Sequence, residues 1–376
     1  MNNRTLLKYH SYAGLIAGIF LILMGISGAI LVFQHDIEEL RWKSYIELED
    51  YGGRNIDRAV RSVQEHYPGW DTRLIEFEEG QALIFNLRRP TARLFVFVHP
   101  TSGEIIKELN ELTTFTRWLL KFHYSFQAGV PGRILVLVVG CLFLFSLVSG
   151  LFIYRRSVIK TLTFRTRVVS RTRRSLFSSL HRIVGVWAIL LNLLLVITGL
   201  FLSYAVVTAA LNPAAPPEAP PVSAPVETIL EELGDSYPDF TPTYIRLPYN
   251  TSGSLTVYGI YPEDPFYFSE FYNTISADYT TGRITGVTRV KDASLWTKWN
   301  SMLLPLHFGQ YGGIWSKLLY CLIGLSGPFL SVSGFLIWRL GKSSGTGRKK
   351  KLFHYLSCFV TFSPFHTYNH YKRIHN

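Results

Sequence analysis

The apolar residues of this chain are bunched into long runs instead of recurring at a helical or strand period. Four stretches carry no Asp, Glu, Lys or Arg: Ala13 to Phe33, Ile134 to Tyr154, Ile183 to Val207 and Leu318 to Trp338. At about twenty residues, each is long enough to cross a hydrocarbon layer of roughly 30 Å as a helix. Between the spans the pattern changes. Ala82 to Leu87 and Leu94 to Val98 are rich in β-branched and aromatic residues and read as strands. Ile56 to Tyr67 and Pro225 to Tyr237 read as short amphipathic helices ahead of the strands. The turns His99-Pro100-Thr101-Ser102-Gly103 and Asp278-Tyr279-Thr280-Thr281-Gly282 hold the same place in the two halves, glycine supplying the positive φ that a tight turn wants. Asn212 to Pro225, dense in Pro and Ala, reads as a semi-rigid linker that does not pack.

Charge then fixes the expected topology. The chain has 376 residues and a formal charge of +12, which in a soluble protein would suggest nucleic acid. Segments 1 to 12, 155 to 182 and 339 to 376 hold 2, 9 and 8 Lys or Arg and no Asp or Glu, so all 26 acidic residues lie in the other two loops. Lys and Arg near span ends resist translocation, which places the basic segments and both termini in the cytoplasm. Nucleic acid is not needed to explain the balance. The predicted order is a cytoplasmic N-terminus (1–12), a first span (13–33), a first outer module (34–130), a second span (134–154) and a basic cytoplasmic loop (155–182). A third span (183–207), a second outer module (208–312), a fourth span (314–338) and a basic tail (339–376) follow. Lys8 and Ser27-Gly28-Ala29 resemble the ends of a signal peptide, but the span is longer than a signal core and its pattern recurs in the third span. The three cysteines, Cys141, Cys321 and Cys358, fall in spans or tail, so the outer loops fold without a disulfide.

The chain reads as an internal duplication. His10, Gly14, Ser27 and Gly28 match His181, Gly185, Thr198 and Gly199 at a constant offset of 171, and His123, Gly129, Ser149, Gly150 and Arg155 match His307, Gly313, Ser333, Gly334 and Arg339 at 184. Both halves run span, outer loop, span, which predicts a pseudo-two-fold axis along the membrane normal with equivalent residues facing across it. Four of the eleven histidines thus form two pairs, His10/His181 near the inner face and His123/His307 near the outer face. Two imidazoles from opposite sides are what a six-coordinate haem iron requires. His10 and Gly14, like His181 and Gly185, stand at i and i+4 on one helical face, where a missing side chain leaves room for a flat macrocycle. The stripe Gly14, Gly18 and Gly25 is equally what close helix packing demands. Gly129-Val130-Pro131-Gly132 predicts a break that leaves His123 on a short interfacial helix, Trp118 to Phe126. His35 is a reserve ligand for the outer site.

Other features have bland readings. The loop Arg155 to Arg182 suits anionic lipid or an electron donor, though topology already explains it. Tyr261, Phe266, Tyr267, Phe268, Phe271 and Tyr272 read as module core or membrane-surface contacts. Trp187, Trp296, Trp299 and Trp315 read as interfacial anchors. The tail 352–376, with His354, His366, His370 and His375, shows no ligand spacing.

The paired His-x3-Gly openings of the first and third spans, the Ser/Thr-Gly pairs closing them and the turns ending at Gly103 and Gly282 resemble the PepSY-associated transmembrane proteins, up to about Lys342. That family includes bacterial inner-membrane ferric-siderophore reductases of the ferrioxamine-uptake kind. Where the family favours Asp in the first turn this chain has His99, a structural position. The resemblance implies an all-α transmembrane four-helix bundle carrying two small α+β PepSY-like periplasmic modules in the bacterial inner membrane. It also implies haem-mediated electron transfer to a ferric siderophore. Two bis-histidine haem b groups are expected, one on His10 and His181 and one on His123 and His307. The rival readings are a PepSY sensor or scaffold that binds peptide or restrains a peptidase, and a permease for the intact siderophore.

Overall fold

The computed structural model describes residues 2–48 and 52–343. The first span is α1 (Asn3–Leu31), whose start is capped by the Asn2 side chain. The helix begins well before Ala13, so His10 lies inside it. After a two-residue break, α2 (Gln34–Ile46) leads to α3 (Ile56–His66) and to four strands, β1 (Asp71–Glu76), β2 (Leu83–Arg88), β3 (Arg93–Val98) and β4 (Ile105–Asn110). The chain returns through α4 (Phe115–Ser125) to the second span, α5 (Gly129–Tyr154). The expected break lies earlier than the sequence suggests. Phe126 takes a left-handed conformation with φ 47° and ends α4, whereas Val130-Pro131-Gly132 form the first turn of α5, where proline loses no hydrogen bond.

A short α6 (Val158–Leu162) and α7 (Arg173–Trp187) precede α8 (Ile189–Leu211). The third span is therefore a helix interrupted at Ala188, which neither proline nor glycine announces. Then come α9 (Val226–Ser236), β5 (Thr241–Arg246), β6 (Leu255–Ile260), β7 (Asn273–Ala277), β8 (Ile284–Thr288), α10 (Leu295–Phe308) and the fourth span, α11 (Gly313–Ser343). The segments Asn3–Leu31, Gly129–Leu162, Ile189–Leu211 and Gly313–Lys342 are long and apolar enough to cross a membrane. In the bundle α1 packs on α5 and α11, α8 on α5, and α7 on α11. The first and fourth spans approach closely at Gly25, where a Cβ would stand 2.6 Å from the Gly324 carbonyl oxygen and 2.4 Å from the Pro328 ring.

Outside the bundle the two expected modules merge. Their strands form one antiparallel sheet ordered β4-β3-β2-β1-β5-β6-β7-β8. The seam pairs Arg73 with Arg246 and Leu74 with Ile245. Alternation then sends Leu74, Phe85, Val96, Ile245, Val257 and Ile275 to one face, where they form a single core under α3 and α9. Those two helices cap each other. The Ile56 N–H donates to Glu227 Oε1 at 3.0 Å, and the Val226 N–H donates to Asp57 Oδ1. The stretch expected to hang as a loose linker is tied down: Gln64 Nε2 donates to the Pro220 carbonyl at 3.1 Å, and the Val222 N–H donates to Gln64 Oε1 at 3.0 Å. Beneath the first half of the sheet, Trp42 of α2 packs on Phe95 and Phe97.

Candidate functional site

Each of the four paired histidines meets a hydroxyl from another helix. His10 Nδ1 lies 2.9 Å from Ser149 Oγ and His181 Nδ1 lies 2.8 Å from Ser333 Oγ. His123 Nδ1 and His307 Nδ1 are each 3.0 Å from their partners, Ser27 Oγ and Thr198 Oγ1. The pairing is reciprocal. Ligand candidates of the first and third spans are held by hydroxyls of the second and fourth, and those on α4 and α10 by hydroxyls of the first and third.

The hydroxyl proton is already committed in every case. Ser27 donates to the Leu23 carbonyl at 2.8 Å, Thr198 to Leu194 at 2.8 Å, Ser149 to Ser146 at 3.2 Å and Ser333 to Leu330 at 3.2 Å. A hydroxyl has one proton, so its remaining role toward the imidazole is acceptor. Each ring also reaches a backbone carbonyl, which can only accept: Ser146 for His10, Met24 for His123, Leu330 for His181 and Leu195 for His307. With hydroxyl and carbonyl both acting as acceptors, the arrangement favours the tautomer that carries its proton on Nδ1 and a lone pair on Nε2. This is the tautomer that a metal-ligating histidine needs, with the orientation fixed by its outer-sphere partner.

The inner rings face each other with centroids 6.4 Å apart and planes crossed at 89°. Two imidazoles bound through Nε2 to one metal at about 2.0 Å each would place their ring centres roughly 6 Å apart. The pair thus fits a shared metal. Among the described residues no group of three or more His, Cys, Asp or Glu converges on a point. The donor set is two imidazoles, which suits a metal that brings its own equatorial ligands, as haem iron does. His123 and His307 lie within electrostatic reach of each other at the sheet end of the bundle.

The glycine after each hydroxyl makes room for the ring. A Cβ on Gly199 would stand 2.9 Å from His307 Cε1 and one on Gly28 3.1 Å from His123 Cε1. The corresponding distances are 3.3 Å for Gly150 to His10 and 3.5 Å for Gly334 to His181. These Ser/Thr-Gly pairs were visible in the sequence only as repeat markers. The signal that could have revealed their role is a hydroxyl kept at the same place in both halves of an apolar span. The expected glycine stripe divides: Gly25 serves packing, while a Cβ at Gly14 would meet nothing within 4 Å, and one at Gly185 only Leu330 at 3.6 Å.

Other candidates fall elsewhere. His35 stands on α2 among the carboxylates Asp36, Glu38 and Glu76. The aromatic cluster splits, with Tyr261 in the sheet core, Phe266 against Tyr311 at the fourth span and Phe271 against Tyr244 and Tyr258. Trp296 and Trp299 pack on Phe201, and Trp187 on Phe164. The tail 352–376 lies outside the described residues. At the two turns, His99 Nδ1 accepts from the Thr101 and Ser102 N–H groups at 3.3 Å each, as Asp278 Oδ1 accepts from Thr280 and Thr281 at 2.9 and 2.7 Å. Imidazole and carboxylate thus do the same structural work. Hydrogen bonds from the Thr280 hydroxyl and the turn backbone hold the Asp278 carboxyl far below the usual carboxylate range.

A search of curated proteins finds no match. The family described as the PepSY-associated TM region matches residues 7–340, which takes in all four spans, the sheet and the four paired histidines. This chain is thus a multi-pass membrane protein that belongs to the PepSY-associated TM family.

Proposed function

We propose that the protein is a haem-containing oxidoreductase of the bacterial inner membrane, carrying electrons to a ferric siderophore on the periplasmic side, where the sheet lies. The single observation that carries this reading is the set of four imidazoles each held at Nδ1 by a hydroxyl from another helix, two of them with ring centres 6.4 Å apart. A haem b held at each pair supplies a one-electron carrier whose potential follows from axial ligand, hydrogen bonding and burial. The protein's part is positional. His10 and His181 would hold one iron through their Nε2 atoms, while Ser149 and Ser333 hold the rings against rotation. Gly14 and Gly185, one turn further on, keep the adjacent helix faces bare. His123 and His307 do the same at the sheet end.

Ser27 and His10 are both on α1, so the two sites are separated by about 25 Å of helix rise. Two centres at different depths shorten each electron step across the bilayer. The charge asymmetry that the basic loop 155–182 carries supports an electron donor on the cytoplasmic side. One electron converts ferric to ferrous iron, which hard oxygen chelators hold far more weakly, so reduction amounts to release.

The test is direct. Dithionite-reduced protein, freed of excess reductant, is mixed in parallel with a ferric trihydroxamate, a ferric catecholate and ferric citrate, each with a ferrous-specific chromogenic chelator. The expected result is a Soret band that returns to its oxidised position, with at least one of them, as the ferrous chromogen appears in step. Protein without a Soret band, or one whose reduced spectrum ignores all three chelates, would remove the reading.

A further inference from the structure

The face of the sheet opposite the helical core carries a concentration of arginines. Arg88 on β2 and Arg93 on β3 are in register across the hairpin, and Arg73 on β1 opposes Arg246 on β5. Side chains alternate along each strand, so these residues point away from Leu74, Phe85 and Val96. They point toward the bundle, because the same face is tied to α4. Asn86 donates to Glu111 Oε2 at 2.8 Å, and Glu111 pairs with Arg93 at 3.6 Å and with Arg117 of α4 at 3.3 Å. The helix that carries His123 therefore bridges the arginine face to the outer histidine pair.

The charges on this face do not balance. Asp71 lies between Arg73 at 2.7 Å and Arg246 at 3.1 Å, and Glu111 is shared by Arg93 and Arg117. Glu38 and Glu76 bury two further carboxylates on the same side, and Asp71 also stands opposite Arg88 in the β1–β2 register, so five guanidiniums meet four carboxylates. Arg88 alone of the five forms no ion pair among the described residues, and its Nε donates to the Asn86 amide oxygen. Burial, with Arg73 and Arg93 close by, pushes Arg88 down to about 10. A sixth cation lies nearer the outer histidines. Arg133, at the sheet end of α5, stacks 5.7 Å from the ring centre of Tyr124, the neighbour of His123, and its Nε is buried with no hydrogen-bond partner.

The repeat makes Arg133 informative. Its counterpart at the offset of 184 is Lys317, which is neutralised by Asp36 at 2.6 Å. The counterpart of Asp36 at the offset of 171 is Val207, so Arg133 lacks the carboxylate that its twin has. On the same face of the second half of the sheet, Tyr244, Tyr258 and Phe271 pack edge to face beside Arg73. An excess of half-buried cations beside an aromatic wall is stabilised by a bound anion with several oxygen acceptors.

We infer that the arginine face of the sheet, where α4 ties it to the outer histidine pair, is a binding site for an anionic, oxygen-rich ligand, and that the ferric chelates this protein handles are carboxylate or catecholate complexes of net negative charge. The second clause rests on the reductase reading above; the first does not. Lipid phosphate offers the same chemistry, so the experiment separates the two sources.

Gallium(III) citrate mimics an anionic ferric chelate and cannot be reduced under these conditions. Its binding to purified protein is measured by equilibrium dialysis, in nanodiscs of phosphatidylcholine alone and with phosphatidylglycerol added. The comparison ligand is a gallium trihydroxamate bearing a free amine. The expected result is retention of gallium citrate over the cationic complex, weakened by added salt and about tenfold weaker in Arg88→Gln, with Arg88→Lys keeping most of it. Wild-type protein that binds both complexes alike, or an Arg88→Gln variant as tight as wild type with an unchanged melting curve, overturns the inference. So does lipid phosphate as the occupant, shown by loss of co-purified phosphatidylglycerol in Arg88→Gln without gallium citrate binding. Reduction of ferric chelates without charge preference would sink the inference and leave the reductase reading standing. Selective gallium citrate binding by a haem-free protein would do the reverse.

Discussion

The inner and outer histidine pairs share one construction, Nδ1 on a hydroxyl and a glycine beneath the ring, but they are held by different parts of the molecule. His10 and His181 sit within long helices of the bundle, and a Cβ on their glycines would stand 3.3 Å from His10, a tight approach, and 3.5 Å from His181, an ordinary one. His123 and His307 sit within two residues of the ends of α4 and α10, each closed by a left-handed residue, Phe126 or Gly309. Their clearances are tighter, at 3.1 and 2.9 Å. Geometry at the inner pair is therefore a property of helix packing alone. At the outer pair it also depends on the sheet, because α4 is pinned to β2 and β3 through Glu111. The outer pair is the one that folding of the sheet region can tune.

The largest expected effect removes a ligand outright. His181→Ala should lose about half of the bound haem and leave the outer site spectrally intact, and His307→Ala should lose the other half. Equal loss of both from either variant would merge the two sites into one cooperative unit. Next comes the glycine contrast. Gly199→Ala places a methyl group 2.9 Å from His307 and should deplete the outer haem, whereas Gly334→Ala, at 3.5 Å, should retain the inner one. Haem content of the two purified variants decides it.

Removing an outer-sphere hydroxyl is milder. Ser333→Ala keeps His181 but frees its ring, which should weaken haem retention by roughly 10–100-fold in competition with apomyoglobin. Glu111→Gln should act at a distance. Loss of the shared carboxylate costs about 1–3 kcal/mol of sheet stability and should speed haem loss from the outer site alone, measured by stopped-flow transfer. The smallest effect is a pH dependence. Burial opposes the Asp71 charge, but Arg73 and Arg246 outweigh it and hold its carboxyl below the ordinary range. Its folded value lies below its unfolded value of about 3.9, so its contribution is complete above that pH and is lost as pH falls through the folded value. Thermal unfolding from pH 6 down to pH 3 should therefore flatten in Asp71→Asn.

Much of the bundle was legible because lipid leaves a chain few options: long uncharged runs must be helices, and basic loops mark one side. The histidine pairs were legible because matching residues recur in the two halves of the chain at fixed offsets. The hydroxyl partners were not, since Ser149 meets His10 across 139 positions of sequence and only tertiary packing brings them together. The merged sheet escaped for the same reason. Its seam joins Leu74 to Ile245, and each strand taken alone reads as part of a self-contained module. Arg88 and Arg93 flank a hairpin and look like ordinary solvated charges. Only the β1–β5 seam and the docking of α4 gather them with Arg73 on one face. The interruption at Ala188 left no trace because no helix-breaking residue stands there.

The central claim is that these four imidazoles hold two haems in one chain. Protein purified from haem-replete cells, assayed by pyridine haemochrome against quantitative amino-acid analysis, should give two haem b per polypeptide. Its low-spin ferric resonance should include the highly anisotropic component of crossed axial imidazoles, as the 89° angle between His10 and His181 requires. A colourless preparation, or haem that persists in full when all four histidines are replaced, would contradict the account.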